Sequence, residues 1–369
     1  MGKRFFASKV FTGDAVLGNQ VITSEAGRIT KIEPGSPSEG HPTVNCISAG
    51  FIDVHVNGGE RFHFTDKADQ EALADIEQAF EKVGTAYTLP TLITSPHETI
   101  FKSLDAVKAY KDKNPGSGIL GLHLEGPFIN EAKRGAHLRE YITSPSDEMI
   151  DRIISYGKDV ISMITIAPEV FGTRQMERLL ESGITISAGH SNASYEQACR
   201  AFDLGINLVT HLYNAMSPLL HRNPGLVGAC FDRSSVYAPI ILDGAHCDFP
   251  AARIAYKIKG DKLFLISDAL FIGGKVTEFS WKGFNAFLQN GQYINSEGNL
   301  AGAAINLADA LRNAVREVGI PLNEAIAMVT SRPAAVLGME KHIGQIAAGF
   351  PAVFTVFDED LKKFEVVRG

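Results

Sequence analysis

The chain has 369 residues, 45% of them hydrophobic, which is ample for a large core and more than one average domain needs. A formal net charge of −7 argues against a nucleic-acid-binding surface, while leaving room for a local basic pocket that takes an anion. Four cysteines (Cys46, Cys199, Cys230, Cys247) stand without paired spacing, which excludes a disulfide framework or zinc-finger pattern and suits a reducing compartment. Met1-Gly2-Lys3-Arg4 is basic but lacks the apolar run of a signal peptide, and no stretch is long enough to span a membrane. The expectation is a soluble cytoplasmic protein that binds neither nucleic acid nor membrane.

The first 48 residues predict short strands over 5–10, 15–21 and 28–32, separated by the turn formers Thr12-Gly13-Asp14 and Glu25-Ala26-Gly27. Residues 36–42 are a loop by composition. Such a unit is too short to make a good core alone. The far end has the same character, with strand patterns over 352–357 and 364–367. Residues 1–49 and 340–369 are therefore expected to form one small β-sandwich together.

Between them strand and helix alternate. Apolar, β-rich runs fall at 51–56, 86–92, 119–124, 160–166, 184–187, 208–210, 237–242 and 263–266. Helical patterns occupy 70–83, 100–113, 146–156, 174–182, 195–204 and 249–259. Eight such units over residues 50–339 predict a closed parallel (β/α)8 barrel of the TIM type, with its active site at the carboxyl ends of the strands. An open doubly wound sheet competes, but eight units favour closure. Residues 279–299 read as a hairpin inserted after the eighth strand, and helices over 304–318 and 322–337 complete the barrel.

The polar residues at the strand ends carry the chemistry. The third strand runs into His123-Leu124-Glu125-Gly126-Pro127, with His123 and Glu125 on one side and a proline that cannot join a ladder. A carboxylate there is costly to bury unless it is paired or holds a metal. Strand one ends at His55-Val56-Asn57, strand five at Gly189-His190-Ser191, strand six at Thr210-His211, strand seven at Asp243-Gly244-Ala245-His246 and strand eight at Ser267-Asp268. Glu125, His190 and His211 together are the ligand types that suit a borderline divalent ion such as zinc, with a fourth position left to water. His41, His63, His97 and His342 lack such placement and are expected at the surface or in loops. His123 is expected to be packed inside the barrel.

The ordered pieces Gly50-Phe51-Ile52-Asp53, His123 to Phe128, Arg134-Gly135-Ala136-His137, Ala188-Gly189-His190-Ser191, Thr210 to Met216, His221 to Leu226, Ser267-Asp268-Ala269 and Leu300-Ala301-Gly302 resemble the N-acetylglucosamine-6-phosphate deacetylase family of amidohydrolases. The resemblance covers nearly the whole chain. It implies that Glu125, His190 and His211 bind the catalytic metal, that Asp268 is general base and then acid, and that His137 assists at the oxyanion or holds the sugar. It also implies phosphate contacts from the backbone N–H groups of Asn214 and Ala215 and from Arg222, with His246 near the sugar or phosphate. The family's dimer would let Arg222 serve the same or the neighbouring subunit.

Many amidohydrolases end strand one with two histidines that hold a second metal, whereas this chain has His55 and Asn57. An asparagine amide is a poor zinc ligand. One Zn2+ per chain is expected, with Fe2+ or another divalent ion as the alternative and His55 as a hydrogen-bonding or weak second-site residue. Ala49 replaces a proline usual in the family. The galactosamine epimer stands as the alternative substrate. A cyclic-amide hydrolase with a carboxylated lysine on strand four is disfavoured, since Ile166-Ala167-Pro168-Glu169 offers none. A non-catalytic scaffold would be expected to have lost Glu125, His190, His211 or Asp268.

Overall fold

Four strands open the chain in the computed structural model, which describes residues 2–38 and 41–369. They are β1 (Lys3–Phe11), β2 (Val16–Glu25), β3 (Arg28–Pro34) and β4 (Thr43–Ala49). Met1, from the basic start, and Glu39 and Gly40, from the expected loop, lie outside the described residues. A parallel series follows: β5 (Phe51–Val56), β6 (Thr85–Ile93), β7 (Leu122–Glu125), β8 (Ile161–Ile166), β9 (Thr185–Ala188), β10 (Ala238–Ile240) and β11 (Leu263–Leu265). The insertion supplies β12 (Glu278–Trp281), β13 (Phe284–Gln289) and β14 (Gln292–Asn295), and the chain ends with β15 (Val353–Phe357) and β16 (Phe364–Arg368).

Both chain ends meet, as their shared composition predicts, in one hydrogen-bonded sheet ordered β16-β15-β4-β1-β2-β3. The expected sandwich is thus represented by a single six-stranded sheet, because β4 has both edges taken, by β1 in parallel and by β15 antiparallel. Successive residues of a strand face opposite ways. Val10 therefore joins a cluster with Phe5, Ile22, Ile29, Ile47 and Phe354, while Phe11 faces the main core beside Phe357. Phe51 also reaches Phe357, at 6.5 Å between ring centroids, which ties the small sheet to the first strand of the parallel series.

Strands β5 to β9 pair in sequence order as a five-stranded parallel sheet, and β10 pairs in parallel with β11. Every residue of β5 and β6 is buried, which explains why these strands read as continuous apolar runs rather than alternating ones. Isolated parallel bridges join Ala188 to Val209, Leu208 to Tyr237 and Val56 to Ala269. The sixth expected strand consists of such bridges alone, because His211 turns the chain out of the extended region at φ 33°.

Helix boundaries follow local capping. Asp69, Ser146 and Ser194 accept backbone N–H bonds at the starts of Gln70–Glu81, Asp147–Gly157 and Tyr195–Leu204. The helix expected over 322–337 is two, Leu322–Ala327 and Ser331–Val336. Pro333 has no N–H for the Val329 carbonyl and would clash with it in a continuous helix. The inserted strands pack Trp281, Phe284 and Tyr293 against Ile93, Leu270 and Phe271, placing the hairpin over the carboxyl end of the parallel sheet.

Candidate metal centre and catalytic site

Each candidate residue leaves its strand where the apolar run stops. Gly126 follows Glu125 with φ 86°, and a Cβ there would run into Thr94 Oγ1, so the turn accepts glycine alone. His190, His211 and Asp268 have φ of 46°, 33° and 49°, a left-handed conformation that costs non-glycine residues free energy and that surrounding structure must impose. Three strained residues at three strand ends bring their side chains to one point.

His190 Nε2 and His211 Nε2 both stand 3.1 Å from Glu125 Oε1 and 3.1 Å from each other. Tetrahedral zinc with bonds of about 2.0–2.1 Å leaves its ligand atoms about 3.3 Å apart, so this triangle fits such an ion closely. On the other carboxylate oxygen, His55 Nε2 lies at 3.3 Å and His137 Nε2 at 3.5 Å from Glu125 Oε2. Glu125, His137 and His190 also bring ligand atoms within 4.8 Å of one another. His137 Nδ1 faces Thr94, 2.8 Å from its Oγ1 and 3.4 Å from its backbone N–H, which can only donate. Nδ1 is then an acceptor, and Nε2 carries the proton as a donor toward the cavity.

Asp268 Oδ1 accepts from Asn57 Nδ2 at 2.7 Å and lies 3.2 Å from His55 Nε2. The residue that interrupts the two-histidine pattern thus holds the candidate base. Asn57 Oδ1 is buried without a hydrogen-bond partner among the described residues.

Charge and burial oppose each other throughout the cluster. Burial alone would raise the Glu125 carboxyl, but His55 and hydrogen bonds from His137, His190 and His211 hold it well below the usual carboxylate range. Burial pushes His190 and His211 down, toward the neutral form that a ligand must have. His55 is driven the other way: burial would lower it, but Asp268 and Glu125 raise it to about 9. His246 is also raised, since Asp243 outweighs burial through a 2.6 Å bond from His246 Nδ1 to Asp243 Oδ2.

Asn57, Glu125, His137, His190, His211 and Asp268 border a cavity of about 360 Å³, lined also by Asn214, Ala215 and His246. The Asn214 backbone N–H does not serve as the sequence suggested, because it already donates to the His211 carbonyl at 2.9 Å. The Ala215 N–H makes no such bond among the described residues. Arg222 is exposed, in a loop with Leu219 and Leu220 at 50% and 54% exposure, and does not line the cavity of its own chain.

Several contributors escaped the sequence reading. His63, expected in a surface loop, is buried: it lines the cavity and stacks on Phe279 at 4.8 Å, because the inserted strands cover it. Leu300, Ala301 and Gly302, which the sequence marked only as part of the resemblance, form one wall, and Phe284 reaches it from β13. Glu169 accepts from Asn130 Nδ2, Ser191 Oγ and Asn192 N, clamping the loop that carries His190. Its only sequence signal was its place at the end of strand four. A larger groove of about 730 Å³ runs along Lys82, Arg312 and Lys362. These cations already face Glu60, Asp309 and Asp360, and no candidate residue lies there.

A model of the Amidohydrolase family matches residues 46–368. The Haemophilus influenzae protein named N-acetylglucosamine-6-phosphate deacetylase is 38% identical over 317 residues, covering 85% of this chain and 82% of that one. The Shewanella sp. (strain ANA-3) protein named N-acetylgalactosamine-6-phosphate deacetylase is 36% identical over 327 residues, 88% of this chain and 82% of its own. The crystal structure of N-acetylglucosamine-6-phosphate deacetylase from Pasteurella multocida aligns over the whole of both chains at 33% identity, with a TM-score of 0.93. A matched family spanning the parallel series and the C-terminal flank, with relatives this similar, leads to one conclusion: the chain belongs to the amidohydrolase family.

Proposed function

We propose that this chain hydrolyses the N-acetyl amide of N-acetylglucosamine-6-phosphate, giving glucosamine-6-phosphate and acetate. The observation that carries the reading is the convergence of Glu125, His190 and His211 on one point, with Asp268 beside them at the cavity floor. Those three residues would hold a divalent cation, one Zn2+ per chain, with Fe2+ as the alternative occupant. When bound, such an ion lowers the pKa of water toward neutrality and polarises a carbonyl oxygen.

The chain's own residues supply the rest. Asp268 takes a proton from the attacking water and returns it to the departing amine. Asn57 holds one carboxylate oxygen of Asp268 and leaves the other for that proton. His137 is assigned to the substrate rather than to the metal, because Thr94 fixes its Nε2 as a donor, the form that stabilises a developing oxyanion. His55 is an ion-pairing residue between Glu125 and Asp268, and Asn57 in place of a second histidine supports a single tightly held metal.

The Ala215 N–H, the Asn214 side chain and His246 hold the phosphate end of the sugar. Arg222 adds a bidentate contact from the neighbouring subunit of a homodimer, which its exposure and its distance from its own cavity support. The ring closes as a (β/α)8 barrel over 50–339, supported by the bridges Val56–Ala269, Ala188–Val209 and Leu208–Tyr237. Residues 1–49 and 340–369 form the small β domain, built on the six-stranded sheet and its own apolar cluster. Four buried free thiols support a cytoplasmic setting. Among the described residues no helix is long and apolar enough to cross a membrane.

The test is acetate release from N-acetylglucosamine-6-phosphate by the purified protein, before and after chelation. The galactosamine epimer is the second reading, favoured by the Shewanella relative, and the same assay run on both sugars separates them.

A further inference from the structure

Directly beneath the candidate ligands runs a line of polar side chains that the proposed chemistry does not use. The Val56 N–H donates to Thr91 Oγ1 at 3.1 Å, and Thr91 Oγ1 lies 3.2 Å from His123 Nδ1. His123 Nε2 lies 2.8 Å from Thr165 Oγ1, which lies 2.8 Å from Thr210 Oγ1, which lies 2.5 Å from Ser187 Oγ. All five side chains are buried, none more than 2% exposed.

The line links six successive positions around the parallel series, five by side chains and β5 by its backbone. Three of these positions lie just before a candidate ligand. Glu125 lies two residues beyond His123 on the same face of β7, His211 follows Thr210, and His190 lies three residues beyond Ser187. His123 also meets the edge of the His55 ring, at 4.6 Å between centroids.

A buried hydroxyl left without a partner costs about 1–3 kcal/mol, so such a chain of bonds holds its members at fixed spacing. A neutral imidazole donates from one nitrogen and accepts at the other, so His123 gives the hydroxyls on its two sides a common direction. It is the one member of the line that spans between two strands through a rigid ring.

We propose that His123 is a positioning residue, which bridges Thr91 and Thr165 through both ring nitrogens and so sets the spacing of the strand ends bearing Glu125, His190 and His211. The inference rests on the reading of those three residues as metal ligands. Its readout is therefore metal binding itself, with Co2+ as the probe.

The wild-type chain, His123→Phe, His123→Gln and Thr165→Val would be stripped by chelation and titrated with Co2+ against a competing chelator. Visible absorption spectra would be recorded, with circular dichroism to check the fold. His123→Phe is expected to weaken Co2+ binding roughly 10- to 100-fold and to change the cobalt spectrum. His123→Gln, which keeps a donor and an acceptor, should recover most of the affinity. Thr165→Val should reproduce part of the loss at nearly constant volume, and it decides the matter if His123→Phe does not fold. Folded variants with wild-type Co2+ affinity and spectrum would overturn the proposal. A wild-type chain that binds no Co2+ would instead overturn the metal reading on which it stands.

Discussion

Replacing His63 by phenylalanine should make the protein less sensitive to mild acid. His63 is 2% exposed, its ring stacks on Phe279, and its Nδ1 accepts the Thr65 N–H at 3.2 Å. Its Nε2 is buried without a hydrogen-bond partner among the described residues. Burial pushes this imidazole down from 6.5 to about 3. The folded-state value is the depressed one, so below pH 6.5 the unfolded chain takes up a proton that the folded chain excludes. The stability contribution is complete above 6.5 and is lost as pH falls from 6.5 toward 3. At about 1.36 kcal/mol per unit, the loss at a pH of about 5 is about 2 kcal/mol. The phenylalanine variant lacks this loss, while giving up the Thr65 bond, about 1 kcal/mol at every pH. The diagnostic is therefore the slope and not the level. Urea unfolding of both metal-stripped proteins at about pH 7.5 and about pH 5 should show the variant losing about 2 kcal/mol less than the wild type. Parallel losses would refute the burial of a neutral imidazole at this position.

Asp268→Asn should retain bound metal and lose turnover by several orders of magnitude, measured as acetate release alongside metal content; near-normal turnover removes Asp268 from proton transfer. Arg222→Ala should raise KM for the phosphorylated sugar roughly 10- to 100-fold and leave an unphosphorylated analogue nearly unaffected. Mixing Arg222→Ala with Asp268→Asn after dissociation and reassembly should restore part of the activity, because one site of each mixed dimer then has both residues. No recovery would place Arg222 in its own subunit's site or outside the reaction. Lys259, whose buried ammonium donates to the carbonyls of Cys230 at 2.8 Å and Arg233 at 2.7 Å, caps the end of the Gly225–Asp232 helix. Lys259→Met should lower stability by about 2 kcal/mol in urea unfolding, and an unchanged midpoint would contradict the capping role.

The strand-and-helix alternation was legible because β5, β6 and β7 are buried on both faces and read as mostly apolar runs without polar alternation. The same contrast exposed the site, since Glu125, His190, His211 and Asp268 are polar residues where such runs stop. What the sequence hid depends on contacts made far along the chain. His63 reads as a loop histidine until Phe279 and Phe284, from the inserted strands, cover it. The left-handed residues His190, His211 and Asp268 are themselves neither glycine nor asparagine, and tertiary packing holds them in that conformation. The Asn214 N–H looked free because its partner, the His211 carbonyl, comes within reach only once that turn has formed. The pairing of β4 between β1 and β15, likewise, follows from neighbours on both edges that local composition does not specify.

The central claim is tested most directly by measuring acetate release from N-acetylglucosamine-6-phosphate and metal per chain on the same sample. The account predicts turnover that vanishes on chelation and returns as Zn2+ or Fe2+ approaches about one ion per chain. Full turnover in a chelated, metal-free sample would contradict it.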